Sequence, residues 1–157
     1  VIVHGDGSSL WTMTWNEDFA KGFIGLLGNT QAIGEVFQIM SDETLTWNQI
    51  YQCMADALGV EFKPYYVASE YIAATAPAKY DMRGCLLGDK TASVVFDCSR
   101  LKRAVPGFKA TTRFEQGIRK SISYIMEHPE AQVEDPEFDS WCDRVIEALE
   151  NTKALFR

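Results

Sequence analysis

Apolar residues recur along this chain mainly at three- and four-residue intervals, interrupted by glycine and proline. That period predicts a helix-rich fold. Phe19, Phe23, Leu26 and Leu27 share one helical face. Asn16 is placed to cap that helix, Glu17 and Asp18 suit its positive end, and Gly28-Asn29 stops it. Thr46-x-x-Gln49 is a capping box that opens a helix with Trp47, Ile50, Met54 and Leu58 on one side, and Gly59 closes it. Residues 63–68 read as a strand, followed by a helix capped by Ser69. Pro77 suits the first turn of a further helix. Thr112-x-x-Glu115 is a second capping box; its helix carries Phe114, Ile118, Ile122, Ile125 and Met126, and Pro129 ends it. Residues 135–155 place Phe138, Trp141, Val145, Leu149 and Phe156 on one stripe. Residues 10–14, 36–39 and 93–96 read as short extended pieces. The pattern predicts a mixed α/β fold, a small helix-rich lobe with two or three short strands, and not a complete doubly wound sheet.

Composition narrows the class. A chain of 157 residues is long enough to bury about 70% of its unfolded surface. Hydrophobic residues make up 46% and charged residues 24%, as in an ordinary globular domain. A net charge of -7 argues against nucleic acid and anionic membrane as partners, because both require a basic footprint. No apolar run approaches the roughly 18 residues that span a bilayer. No charged-then-apolar leader is visible. The chain opens at Val1 in what reads as the end of a strand, which points to a piece of a longer polypeptide. Cys53, Cys85, Cys98 and Cys142 lack Cys-x-x-Cys spacing and read as buried thiols of a reducing, cytoplasmic protein.

Several motifs invite chemistry and fail on context. Gly22, Gly25 and Gly28 form a Gly-x-x-Gly-x-x-Gly run, with Asp42 downstream where a ribose-binding acid would sit. Such a fingerprint must follow an apolar strand, whereas here Asn16-Glu17-Asp18 and Phe19-Ala20-Lys21 lead into it. The glycines are read as small residues that let a helix pack closely. The run from Gly84 to Thr91 lacks the Gly-Lys order of a phosphate loop. His4 and His128 have no second histidine at ligand spacing and read as surface or turn residues, so no metal is expected. Asp135-Pro136-Glu137 reads as a solvated helix start. Cys98 has no histidine nearby in sequence and reads as a buried structural thiol. Asp89 and Asp97 read as helix or turn caps.

A longer-range order is more specific. The chain carries Gly5-Asp6-Gly7-Ser8-Ser9-Leu10-Trp11-Thr12, then Glu17-Asp18-Phe19-Ala20, Leu87-Gly88-Asp89-Lys90 and Phe96-Asp97-Cys98-Ser99-Arg100-Leu101. It ends the series with Val105-Pro106-Gly107-Phe108 and Phe114-Glu115-Gln116-Gly117-Ile118. In this order and spacing, over residues 1–128, the chain resembles the C-terminal lobe of extended short-chain dehydrogenase/reductases, the NAD-dependent epimerase/dehydratase group.

The resemblance implies that residues 1–157 form a single substrate-binding lobe whose partner, an N-terminal Rossmann lobe holding NAD or NADP, lies outside the chain. It implies no cofactor bound by these residues alone. The family's catalytic Tyr-x-x-x-Lys pair has no counterpart: the residues four on from Tyr51, Tyr65, Tyr66, Tyr71, Tyr80 and Tyr124 are Ala55, Ser69, Glu70, Thr75, Gly84 and His128. No catalytic residue is therefore assigned. In sugar-nucleotide members, arginines grip the substrate diphosphate at the positions of Trp11 and Leu86. Two apolar residues there point to a small-molecule substrate less anionic than a nucleotide sugar. Trp11 and Thr12 are expected to line its pocket, with Lys90 as a polar anchor. A stand-alone binding or interaction module is the alternative. A lobe without its companion should expose an apolar surface near the N-terminal segment and Trp11, prone to self-association.

Overall fold

The structure is a computed structural model that describes residues 1–156. Among the described residues four short strands form two pairs. β1 (Ile2–His4) runs parallel to β4 (Tyr65–Val67), with Val3 opposite Tyr66. β2 (Leu10–Trp11) runs antiparallel to β3 (Leu45–Thr46), with Trp11 opposite Leu45. Helices surround these pairs: α1 (Asn16–Leu26), α2 (Trp47–Leu58), α3 (Ser69–Thr75), α4 (Ser99–Ala104), α5 (Phe114–Glu127) and α6 (Pro136–Ala154). A π-helical segment, Arg83–Lys90, lies between α3 and α4. The fold is the helix-rich mixed α/β lobe that the pattern predicts.

Two apolar clusters hold it. In one, Val67, Ile72, Leu86, Trp141 and Val145 join β4, α3, the π-helical segment and α6. In the other, Ile39, Leu101 and Phe108 pack beneath α1. α1 approaches that second cluster through glycine. A Cβ on Gly22 would sit 2.6 Å from Ile39 Cγ2, and one on Gly25 2.4 Å from Val105 Cγ1. Both distances are too short for any side chain, so these glycines serve close packing. Gly28, at φ +75°, lies just past the helix.

Caps explain where the helices begin. Thr46 and Gln49 form the reciprocal box at the start of α2, and Gly59 ends that helix in the left-handed region at φ 69°. Asp135 caps α6, its Oδ1 accepting from Phe138 N at 3.2 Å. Asp97 accepts from Ser99 N at 2.8 Å at the start of α4. Other starts differ from expectation. Asn16 is the first residue of α1, with Trp15 in the cap position. Ser69 likewise opens α3 behind Ala68. Thr112 N donates to Asp18 Oδ2 at 2.8 Å, so α5 begins one residue later, with Gln116 Oε1 accepting from Arg113 N at 3.1 Å.

Asp18 is the buried hinge pin of that arrangement. Its carboxylate takes Lys21 Nζ at 2.6 Å and the Thr111 and Thr112 amides at 3.1 and 2.8 Å, tying α1 to the approach of α5. Burial opposes its ionisation; the Lys21 ammonium and the two amides outweigh that and hold the carboxyl at about 2.

Three expected elements are absent as such. Residues 36–39 and 93–96 form no strand among the described residues, although Val94 N donates to Leu10 O of β2 at 3.1 Å. Pro77 starts a turn closed by Tyr80 N on Pro77 O at 2.9 Å, and no helix. Phe156 lies past the end of α6 and is exposed, outside the buried stripe. The four thiols are free, and only Cys98 is buried while Cys85 is exposed.

Candidate functional site

β2 and the end of the π-helical segment are stitched together. Ser9 Oγ donates to Lys90 O at 2.8 Å, Leu10 N to Ser93 Oγ at 3.0 Å, and Val94 N to Leu10 O at 3.1 Å. The stitching brings two sequence-distant residues together. Lys90 Nζ stands 5.8 Å from the centre of the Trp11 ring, within cation–π range. It also donates to Asp89 Oδ2 at 3.2 Å and Cys85 O at 3.4 Å. Asp89 is thus the ion-pair partner of Lys90 and not a cap. Trp11 is half-buried and tilts against Trp47, the first residue of α2, at 6.0 Å. Trp47 meets the edge of His4 at 5.3 Å and continues to Tyr51 at 6.1 Å.

Thr12, just past the end of β2, is buried, its hydroxyl 3.5 Å from that of Thr44.

Alongside the stitched strand lies a hollow of about 450 Å³, lined by His4, Asp6, Ser8, Ser9, Ser69, Thr91 and Ser93. Its walls are mostly hydroxyls. The Asp6 carboxyl is held below the usual range, first by the Ser8 hydroxyl and then by the Ser8 amide. His4, expected at the surface, is buried at the end of β1 because its ring packs on Trp47. Burial lowers its pKa, and the Lys90 charge lowers it further. His4 is therefore a neutral imidazole at neutral pH. Its Nε2 and the Ser69 hydroxyl have no hydrogen-bond partner among the described residues. Sequence reading missed both residues, since neither lies in a recognisable chemical spacing. On the other side of His4, a more apolar cavity of about 360 Å³ is lined by Ile2, Tyr51, Ile72, Leu86, Phe138 and Trp141, among others.

Other expectations resolve simply. His128 is half-buried and stacks on Tyr124 at 3.9 Å. Cys98 Sγ lies 3.6 Å from Met40 O in the second cluster's surroundings, as a structural thiol does. Among the described residues no group of three or more His, Cys, Asp or Glu side chains could hold a metal ion. A dinucleotide does not fit the glycine run: Gly22 and Gly25 lie within α1 and are closed off by Ile39 and Val105.

No protein-family model matches the chain. A curated relative, the 2'-dehydrokanamycin reductase of Streptomyces kanamyceticus, is 26% identical over 108 residues, covering 69% of this chain and 30% of that protein. Among solved structures, the UDP-glucuronic acid 4-epimerase of Bacillus cereus in complex with NAD superposes with a TM-score of 0.58 at 16% identity, over 80% of this chain and 34% of that one. The dTDP-glucose 4,6-dehydratase of Streptomyces venezuelae gives 0.58 at 19% identity, over 82% of this chain and 34% of that one. The chain shares the fold of a part of these epimerase and dehydratase structures. The motif order read from the sequence and this fold likeness agree. The chain spans about a third of the length of the proteins it matches. No helix among the described residues is long and apolar enough to cross a membrane.

Proposed function

We propose that this chain is the substrate-binding part of an NAD(P)-dependent epimerase, dehydratase or reductase acting on a carbonyl or alcohol. In this reading the cofactor and the catalytic residues belong to a companion lobe outside the chain. The chain's own residues bind and orient the substrate and exclude water from it. Trp11 supplies a flat apolar wall, Lys90 a single charged edge, and the hydroxyl-lined hollow a surface suited to a polyhydroxylated group.

One observation carries the choice of substrate class. Where sugar-nucleotide members of the family have diphosphate-gripping arginines, Leu86 is buried in the first cluster and Trp11 leans on Trp47. Lys90 is the cation beside the wall, and Asp89 already offsets its charge. A diphosphate buried here would meet poor compensation. The neutral His4 and the surrounding hydroxyls instead favour an uncharged, hydroxyl-bearing substrate. Thr12, buried next to Trp11 in sequence, is proposed as part of the same substrate-binding wall.

Calorimetric titration tests the division of labour. The chain alone should bind neither NAD nor NADP at micromolar concentrations, and clear micromolar binding would overturn the proposal. In the longer enzyme, Trp11→Ala should raise KM about tenfold with kcat little changed, the signature of lost uniform binding. An unchanged KM removes Trp11 from the pocket.

A further inference from the structure

α6 follows the residues over which the motif order runs, yet it is fastened to the lobe at both ends. Near its start, Tyr80 Oη donates to the Asp135 carboxylate, and Lys79 Nζ pairs with Glu137 at 2.7 Å. Near its end, Tyr65 Oη donates to Glu150 Oε1 at 2.6 Å, and Lys153 Nζ donates to Tyr65 Oη at 3.0 Å. Between these ties, Trp141 and Val145 are buried in the first cluster with Leu86. The neighbouring stripe of the helix is different. Phe138, Cys142 and Ile146 recur every four residues and so share a face. All three are half-buried, and they line the cavity of about 360 Å³ together with Ile2, His4 and Tyr51. Protein interiors keep few voids larger than a water molecule. A space of this size beneath a helix tied at both ends falls in the range of small-molecule sites.

The walls select the guest. Tyr51, Phe138 and Trp141 offer aromatic surface, and Ile72, Met82 and Leu86 aliphatic surface. Among the described residues no lysine or arginine lines the cavity; its charged residues are Asp139 and Asp143, both exposed. Two carboxylates turn away an anion. The apolar interior does not repay the desolvation of an ammonium group. An uncharged guest is left. Trp141 is 4% exposed, and its Nε1–H has no acceptor among the described residues. A buried donor without a partner is costly, so an oxygen on the guest would be favoured there. His4 lines both this cavity and the hydroxyl-lined hollow, so the two spaces meet at one side chain.

We propose that α6 is a specificity element of this chain: the cavity beneath it takes an uncharged aromatic or alkyl group carried by the same substrate whose hydroxyl-bearing part occupies the hollow, with His4 between the two. This rests on the substrate-binding reading of the chain. Phe138, Cys142 and Ile146 are the residues of α6 that set the size and shape of the group admitted.

The test is heteronuclear NMR titration of the 157-residue chain. Benzyl alcohol should saturably shift the Trp141 indole N–H and the Cys142 and Ile146 amides, and leave the Trp15 indole unmoved. Benzoate should shift none of them. Cys142→Phe, which fills the cavity, should abolish the shifts. Ile146→Phe fills it from the next turn and serves if the first variant does not fold. Benzyl β-D-glucoside, which joins an aromatic group to a hydroxylated one, should bind about tenfold more tightly than methyl β-D-glucoside. The cavity-filling substitution should bring the two level. Trp141 unmoved by benzyl alcohol, tighter binding of benzylamine or benzoate, or no tighter binding of the benzyl glucoside would each overturn this inference while leaving the proposed function standing. Micromolar binding of NAD by the same chain is the separate result that strikes the proposed function itself.

Discussion

Asp18 shows how a single residue can be visible in the sequence and still misread. Its place in the first turn of a helix suggested only a favourable end-charge, which is worth a few tenths of a kcal/mol. The structure buries it completely and gives it the Thr111 and Thr112 amides as well as Lys21. The two amides lie 93 and 94 residues away in sequence, so no local pattern could announce them. Asp18→Asn removes the charge but not the shape, and should cost about 2 kcal/mol in chemical denaturation. The sign of its pH dependence follows from a native carboxyl at about 2 against an ordinary 3.8. Its contribution is complete above 3.8 and fades as pH falls towards 2. His4 acts in a higher window. Burial and Lys90 lower its native pKa beneath 6.5, so below that pH the unfolded chain takes up a proton the native imidazole resists. Stability therefore declines as pH drops through 6.5. His4→Phe should flatten that part of a stability–pH curve; an unchanged slope would show that His4 is not its source. The motif order picked out Trp11 and Lys90 separately; their approach to 5.8 Å was not legible, because the Ser9, Leu10 and Val94 bonds that bring them together join distant segments.

At the level of elements, legibility tracks how local the cause is. α2 was readable from end to end because its capping box and its closing glycine are its own residues. The strands were not, since a ladder depends on a partner. Residues 63–68 found β1, whereas residues 36–39 have the same character and no neighbour among the described residues. α1 is the sharpest case. Periodicity located the helix and the glycines were read as close-packing residues, but the pattern did not show that the large apolar face turns outward while the glycine face approaches Ile39 and Val105. A test follows from those distances. Gly22→Ala places a methyl 2.6 Å from Ile39 Cγ2 and 3.0 Å from Phe108 Cε2, and such overpacking should cost about 2 kcal/mol. On an exposed helix position the same change would stabilise by up to about 1 kcal/mol through propensity. The direction of the change in denaturation midpoint thus decides whether α1 packs through its glycines.

For the whole molecule, the question is whether two apolar clusters make one folding unit. The first gathers Val67, Ile72, Leu86, Trp141 and Val145, and the second Ile39, Leu101 and Phe108. Trp47 and Ile50 of α2 are buried and belong to neither cluster. Hydrogen bonds tie distant segments together: Thr14 Oγ1 accepts from Ser41 N at 2.9 Å, and Asn48 N donates to Gly7 O at 3.0 Å. Such long-range ties favour all-or-none melting. The sequence could suggest one lobe by its motif order but not this coupling, which arises from contacts between distant segments. Scanning calorimetry of the chain should give a single transition whose calorimetric and van't Hoff enthalpies agree. Leu101→Ala in one cluster and Val145→Ala in the other should each lower that same midpoint. A loss of about 3 kcal/mol at Leu101, which has no exposed surface, is the ordinary cost of a buried large-to-small change. It corresponds to a fall of roughly 10 °C for a chain of this size. Two separable transitions, each sensitive to only one of the substitutions, would divide the chain into two units and would confine the coupling of the Trp11 wall to whichever unit retains it.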